Sequence, residues 1–257
     1  MSTGRFVWYE LLSPDPKAII PFYSEVVGWK TEPFSGGPPG KPYTMWIGSQ
    51  GALGGVMTLP EEAQKMGTPP HWMAHVEVDD VEASVAKVKQ LGGKVHVPPT
   101  DVPTVGRFSV IADPQGASLS LFTPSQKMEG HDISKEGEFT WNELLTTDRE
   151  SAFKFYSALF GWEKKSDVDM GPIGKYLVYG QGEKQYGGMF TKTADMTMPP
   201  SWIYYIHMND LDAAVSRATS NRGKLMHGPM EVPGGDRIAQ LTDPQGAFFA
   251  LHESPKK

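Results

Sequence analysis

Trp8-Tyr9-Glu10-Leu11-Leu12 recurs as Trp141-Asn142-Glu143-Leu144-Leu145. Working outward, Phe22-Tyr23 and Gly28-Trp29 recur as Phe155-Tyr156 and Gly161-Trp162. Asp113-Pro114-Gln115-Gly116-Ala117 recurs as Asp243-Pro244-Gln245-Gly246-Ala247. The offset is 133 at the first motif (141 − 8) and 130 at the last (243 − 113), so order and nearly all spacing persist. A period this long marks two similar folding units, not a solenoid of short repeats. Each residue kept in both copies is also an internal comparison.

The 257 residues divide naturally into two domains, each large enough for its own core. The first is expected over 1–122, a polar linker over 123–137 and the second over 138–257. A hydrophobic share of 39% and a charged share of 21% are ordinary for a globular chain. The net charge of −6, with no basic run, argues against nucleic acid as a partner. The absence of cysteine excludes disulfides, thiolate nucleophiles and thiolate-held metals. Met1-Ser2-Thr3-Gly4-Arg5 runs straight into a strand-like segment without an apolar signal region. No stretch reaches the ~18 apolar residues that span a bilayer. The expectation is a cytoplasmic protein with no membrane partner, either monomer or homodimer.

Each half opens with a strand, Arg5 to Leu12 or Glu138 to Leu145. A helix follows. Asp15 is its N-cap, Pro16 its first residue and Gly28 its stop, with Ile19, Phe22, Tyr23, Val26 and Val27 forming one apolar face. Asp148 and Gly161 bracket the second copy. Three strands come next, Lys30 to Phe34, Tyr43 to Gly48 and Leu53 to Leu59, separated by turns such as Ser35-Gly36-Gly37-Pro38-Pro39-Gly40. The pattern then restarts: a strand over Trp72 to Val78, a helix capped by Asp80 with Val81, Val85, Val88 and Leu91 inward, and strands near 94–97, 107–111 and 117–122. The chain is therefore four βαβββ modules. Strands outnumber helices, which predicts an α+β fold with curved mixed or antiparallel sheets. Sequence does not decide whether modules pack within a half or across halves. Lys256-Lys257 close the chain as a short basic tail.

These motifs, in this order and twice over, resemble the vicinal oxygen chelate superfamily, which includes glyoxalase I, the fosfomycin- and bleomycin-resistance proteins and the extradiol dioxygenases. The chain is most similar to tandem-domain, glyoxalase-like members. The resemblance implies His, Glu or Gln on the first and last strands of paired modules, holding a divalent metal that acts as a Lewis acid. Carried onto this chain, those positions are Trp8 with Gly55, Met73 with Ser120, Trp141 with Gly188, and Ile203 with Ala250. Indole has no lone pair to donate, and Gly, Ile and Ala have no ligating group. Met73 is too soft for the metals expected. The prediction is no metal and no other cofactor.

Alternation along strands puts Glu10 on the face of Trp8, and Glu143 on that of Trp141. His75 and Glu77 share a face with Met73, as Tyr205 and His207 do with Ile203. The expectation is a ligand-binding cavity walled by Trp8, Met73, His75, Trp141, Tyr205 and His207, with Glu10 and Glu143 as acid–base candidates. A carboxylate held against apolar surface is expected to ionise less readily. The blander reading makes Trp8 and Trp141 packing residues and gives Glu10 and Glu143 structural partners, with Arg107 and Arg237 the obvious ones. His71, His96, His131, His227 and His252 show no metal spacing and read as surface or satisfied residues. The Met-rich stretch from Met189 to Met198 reads as a mobile or packing segment and not as a copper site. The leading functional expectation is a metal-independent small-molecule binding protein of the glyoxalase/bleomycin-resistance type. The alternatives are a lyase or isomerase using Glu10 or Glu143, and a metal-dependent glyoxalase or dioxygenase whose ligands lie elsewhere.

Overall fold

A computed structural model describes residues 3–36, 42–171 and 174–255. The turn expected at 35–40 falls mostly outside these, as does Lys256-Lys257. The first half runs β1 (Phe6–Ser13), α1 (Pro16–Val27), β2 (Lys30–Phe34), β3 (Tyr43–Gly48), β4 (Gly51–Thr58), α2 (Glu61–Lys65), β5 (His71–Glu77), α3 (Val81–Gln90), β6 (Lys94–Val102), β7 (Gly106–Ala112) and β8 (Ser118–Pro124). The second runs β9 (Phe139–Thr146), α4 (Arg149–Phe160), β10 (Glu163–Asp169), β11 (Lys175–Gln181), β12 (Lys184–Thr191), β13 (Ser201–His207), α5 (Leu211–Ser220), β14 (Lys224–Glu231), β15 (Arg237–Thr242) and β16 (Phe248–Glu253).

The strands form two open sheets of eight, in the orders β2-β3-β4-β1-β5-β8-β7-β6 and β10-β11-β12-β9-β13-β16-β15-β14. In every module the first strand lies parallel to the last, as β1 does to β4, β5 to β8, β9 to β12 and β13 to β16. The hairpins are antiparallel. The fold is α+β. Among the described residues no helix is long and apolar enough to cross a membrane.

Local chemistry accounts for the helices. The Asp15 carboxylate accepts from the Ala18 amide at 3.1 Å, and α1 stops where Gly28 takes φ +88°. The buried residues of α1 are Ile19, Phe22, Tyr23, Val26 and Val27, the face that spacing predicts. Each such side chain contributes about 1.5–3 kcal/mol on burial. Asp80, Asp148 and Asp210 cap their helices in the same way. Leu91 is not part of the α3 core. It is the C-cap and only half-buried, because the helix ends at Gln90. The five-residue α2 has no buried residue, so periodicity could not announce it.

Packing divides the chain differently from the sequence repeat. One compact unit comprises Met1–Val7, Met73–Glu129 and Trp141–Ile203; the other comprises Trp8–Trp72, Gly130–Thr140 and Tyr204–Lys257. Each unit therefore joins one module from each half. In the first, the core gathers Phe6, Tyr156, Phe160, Trp162, Tyr179 and Trp202, with Trp162 and Tyr179 rings 4.5 Å apart. In the second it gathers Tyr9, Tyr23, Trp29, Trp46, Trp72, Phe139 and Phe249, with Tyr9 stacked on Phe139 at 3.7 Å.

The repeated motifs hold each unit together. In the first, Asp113 Oδ1 accepts from the amides of Gln115, Gly116 and Ala117, while Oδ2 accepts from the Tyr156 hydroxyl at 3.1 Å. The Gln115 side chain accepts from the Asp148 amide and donates to the Asp148 carbonyl, gripping the start of α4. In the second unit, Asp243 accepts from Tyr23, and Gln245 grips Asp15 at the start of α1. Asp-Pro-Gln-Gly in one half thus reads Phe-Tyr and the Asp cap of the other.

Candidate ligand site

Within the second unit, Trp8 and Glu10 both reach Tyr43 on β3. The Trp8 indole nitrogen donates to the Tyr43 hydroxyl at 2.7 Å, and that hydroxyl is hydrogen-bonded to Glu10. The first unit repeats the arrangement. Trp141 donates to Tyr176 at 2.7 Å, and Tyr176 donates to Glu143 Oε2 at 2.8 Å. Glu10 and Glu143 are buried, while the Trp and Tyr residues are half-buried. Burial, then the nearby Glu10 charge, pushes the Tyr43 phenol well above its ordinary range, so it stays a proton donor.

The glycine pairs Gly54-Gly55 and Gly187-Gly188 make room for this relay. A β-carbon at Gly54 or Gly187 would strike the carbonyl of Tyr9 or Asn142 on the neighbouring strand. One at Gly55 or Gly188 would overlap the hydroxyl end of the Tyr43 or Tyr176 ring, within 2.5 Å of its atoms. The tyrosines thus lie directly over the last-strand position of each module. Tyr43 and Tyr176 did not stand out in the sequence, although both follow their Trp by 35 residues.

Ladder register corrects the assignment of rungs. Opposite Gly55, Ser120, Gly188 and Ala250 stand Glu10, His75, Glu143 and Tyr205. The residues expected there, Trp8, Met73, Trp141 and Ile203, lie two positions earlier. A two-residue shift keeps a side chain on its face but moves it about 6.8 Å along the strand. The corrected rungs bring carboxylates and one imidazole to the first strands, yet the last strands still offer only Gly, Ser, Gly and Ala. With the phenols occupying the glycine positions, this donor set does not fit the divalent metal of the resembled family. Among the described residues no three His, Asp or Glu side chains are grouped so as to hold a metal ion.

The remaining candidates are placed as follows. Met73 and Ile203 are buried. His75 is buried against Phe122 and Phe108, with ring centroids at 5.9 and 6.3 Å. Tyr205 is buried, and its hydroxyl accepts from Gln240 at 2.8 Å. His207 is buried beside His252, 5.7 Å between ring centroids. His252 contacts Asp236 through Nε2 at 3.1 Å and Thr140 through Nδ1 at 3.2 Å. Burial and then the neighbouring His252 lower the pKa of His207. His252, expected as a surface or satisfied histidine, is the neighbour of a candidate site residue. The available signal is the first half, where the equivalent residue is Phe122 (252 − 130).

Arg107 and Arg237 are not the partners of Glu10 and Glu143. Arg107 pairs with Glu82 and Asp101, and Arg237 with Asp212 and Glu253. Both arginines sit at strand starts beside acidic helix and hairpin residues, which capture them first. His71 also has an unforeseen place. Its Nδ1 meets the Pro69 carbonyl at 2.8 Å; burial lowers its pKa, and the Glu10 charge partly opposes that. A depression of about 210 Å³ in the first unit is lined by Lys94, His96, Asp113, Pro114 and Gln115, and no relay residue borders it.

The family model for the glyoxalase/bleomycin resistance protein/dioxygenase superfamily matches residues 5–121 and again 139–251. The chain belongs to this superfamily. Among curated relatives, CFP32 of Mycobacterium tuberculosis, whose name assigns it provisionally to the glyoxylases, is 32% identical over 95% of this chain and 92% of its own. The anthracycline biosynthesis protein DnrV of Streptomyces peucetius is 30% identical over 97% of this chain and 93% of its own. Similar solved structures include the 2,3-dioxygenase LapB of Pseudomonas sp. KL28 (TM-score 0.67, 11% identity, 100% of this chain and 94% of that one). The Mn(II)-bound glyoxalase of Novosphingobium aromaticivorans is another (TM-score 0.64, 15% identity, 99% and 83%). At such identities the structural likeness speaks for the fold of this superfamily member and not for its chemistry.

Proposed function

We propose that this superfamily member binds a small organic molecule at its Trp–Tyr–Glu relays and does so without the metal centre of its relatives. The observation that carries this reading is the Tyr43 phenol, seated on Gly55 and tied to both Trp8 and Glu10, with Tyr176, Gly188, Trp141 and Glu143 repeating it. The relay sets partly exposed indole beside a buried carboxylate, the mixture of apolar wall and sparse polar anchor that small-molecule sites use. The acidic net charge favours such a ligand over nucleic acid. The names of the relatives, one a glyoxylase and one an anthracycline biosynthesis protein, fit a small-molecule role. Binding without turnover would make the protein a sequestering or resistance factor. The test is elemental analysis of protein purified without chelator, joined to calorimetry against aromatic compounds. Binding with substoichiometric metal is expected. Stoichiometric nickel, zinc, iron or manganese overturns the reading.

A second reading is an isomerase or lyase using Glu10 as general base. His71 favours it, because its imidazole is held towards the neutral form within the field of Glu10. The equivalent residue of the second half is Ser201 (71 + 130), so catalysis would belong to the first half alone. Glu10→Gln would then abolish turnover of a bound compound without moving the Tm, and Glu143→Gln would not.

A further inference from the structure

We propose that His207 is an acid-sensitive latch at the end of β13, whose charging releases the segment entering β9 and the end of β16. Its backbone holds both. The His207 amide donates to the Glu138 carbonyl, and the His207 carbonyl accepts from the Gly137 amide, each at 2.8 Å. On the other side His207 stands opposite His252 in the β13–β16 ladder, and the Met208 amide donates to the His252 carbonyl at 2.7 Å. All of these residues lie in the second unit. The latch does not depend on the binding reading above.

The first half builds the same junction with different chemistry. Glu77 takes the place of His207 (207 − 130), Arg5 that of Glu138 (138 − 133) and Phe122 that of His252 (252 − 130). The backbone bonds repeat, from Gly4 to Glu77, Glu77 to Arg5 and Val78 to Phe122. There the Glu77 carboxylate pairs with the Arg5 guanidinium at 2.6 Å. His207 has no such partner. Its Nδ1 is buried and makes no hydrogen bond among the described residues, and a second imidazole, that of His252, stands 5.7 Å away between ring centroids.

The carboxylates around His207 are engaged elsewhere. Glu136 accepts from Asn209, Glu138 contacts His131, and Asp236 pairs with His252. Glu253 pairs with Arg237, which also holds Asp212. The second Glu138 oxygen is buried without a hydrogen bond and lies beside Gly48 on β3. The charges of Glu136, Asp236 and Glu253 offset only part of the cost of a proton on His207, which burial and His252 set. Opening the junction hydrates the ring and lets it charge near its ordinary 6.5. The closed form therefore prevails above about pH 6.5 and yields as pH falls.

The test is amide hydrogen exchange on the full chain at pH 7.5 and 5.5, with rates corrected for the intrinsic pH dependence of exchange. The amides of Gly137, His207 and Met208 report the latch, because their hydrogen bonds cross it. One imidazole that charges near 6.5 only when open raises the open population by up to about tenfold between these pH values. A gain in exchange of at least about fivefold is expected at those three amides and not in β11 or β12, which carry no histidine. In His207→Gln the gain should fall to within about twofold. In His252→Phe, which installs the first-half residue, it should be smaller than in the unaltered protein. No gain at the three amides, or an equal gain in β11 and β12, overturns the latch. An undiminished gain in folded His207→Gln overturns it too, and one in folded His252→Phe removes the part given to His252. The contrast between latch and control strands in the unaltered protein decides the matter even if neither variant folds.

Discussion

The Tyr23 hydroxyl donates to Asp243 at 3.1 Å across 220 residues of sequence, and the Trp72 indole donates to the same hydroxyl at 2.8 Å. Tyr156 makes the matching pair of contacts with Asp113 and Trp202. The Phe-Tyr and Asp-Pro-Gln-Gly motifs are therefore two ends of one bond, and each end lies in a different half of the chain.

Removing that hydroxyl leaves the buried indole nitrogen of Trp72 without its acceptor and Asp243 Oδ2 without the tyrosine donor, while Oδ1 keeps its backbone amides. Tyr23→Phe should lower stability by about 1–3 kcal/mol, the cost of stranding buried polar groups. Tyr156→Phe should cost a similar amount. Urea denaturation measures both, and unchanged midpoints would refute a joining role for the motifs.

The same aspartates predict a pH effect. Burial raises the pKa of Asp113 and Asp243 above the ordinary 3.8, outweighing the backbone amides and tyrosines that stabilise the charge. A raised folded-state pKa means the native chain holds the proton longer than the unfolded one. The associated stabilisation is complete below pH 3.8 and is lost as pH rises through the folded-state value. Relative to Asp113→Asn or Asp243→Asn, the unaltered protein should therefore gain stability on acidification through that window. Denaturation curves collected from pH 7 to 4 check the sign; a difference that shrinks towards acid contradicts it.

His207 predicts the opposite trend. Its pKa is lowered by burial and by His252, against the opposing charges of Glu136, Asp236 and Glu253. The native state then resists a proton that the unfolded state accepts near 6.5. Stability from this group is present above about pH 6.5 and is lost as pH falls through the folded-state value. His207→Gln should flatten that acid limb. Titration of the imidazole by NMR gives an independent check, and an ordinary or raised value would remove the prediction.

Ile19, Phe22, Tyr23, Val26 and Val27 form the buried face of α1 as their spacing predicts, because helical burial is written locally. Asp15 and Gly28 mark its ends for the same reason. The pairing of Tyr23 with Asp243 was beyond reach, since a repeat shows that two residues recur and not which copies meet. Alternation puts Trp8 and Glu10 on one face, and both side chains bond to the Tyr43 hydroxyl. The rung opposite Gly55 is Glu10, two residues on from Trp8, because alternation fixes a face and says nothing about register. Tyr43 carries no sequence signal because one tyrosine on a short strand has no pattern of its own. Its meaning lies in Gly55 beneath it.

That glycine offers a direct test of the relay. A β-carbon at Gly55 would overlap the Tyr43 phenol, and one at Gly188 the Tyr176 phenol, so neither ring could keep its place. Forcing extra volume into a packed position costs about 1–3 kcal/mol. Gly55→Ala should be destabilising by that order and should break the Trp8–Tyr43 hydrogen bond, blue- or red-shifting Trp8 fluorescence as its indole changes partner. In a Tyr43→Ala background the ring is gone, and the same Gly55→Ala change should cost little. The two substitutions are thus coupled, and a double-mutant cycle reads the coupling as the failure of additivity. Full additivity would mean that the phenol does not rest on Gly55, and the case for an occupied metal-ligand position would fall with it.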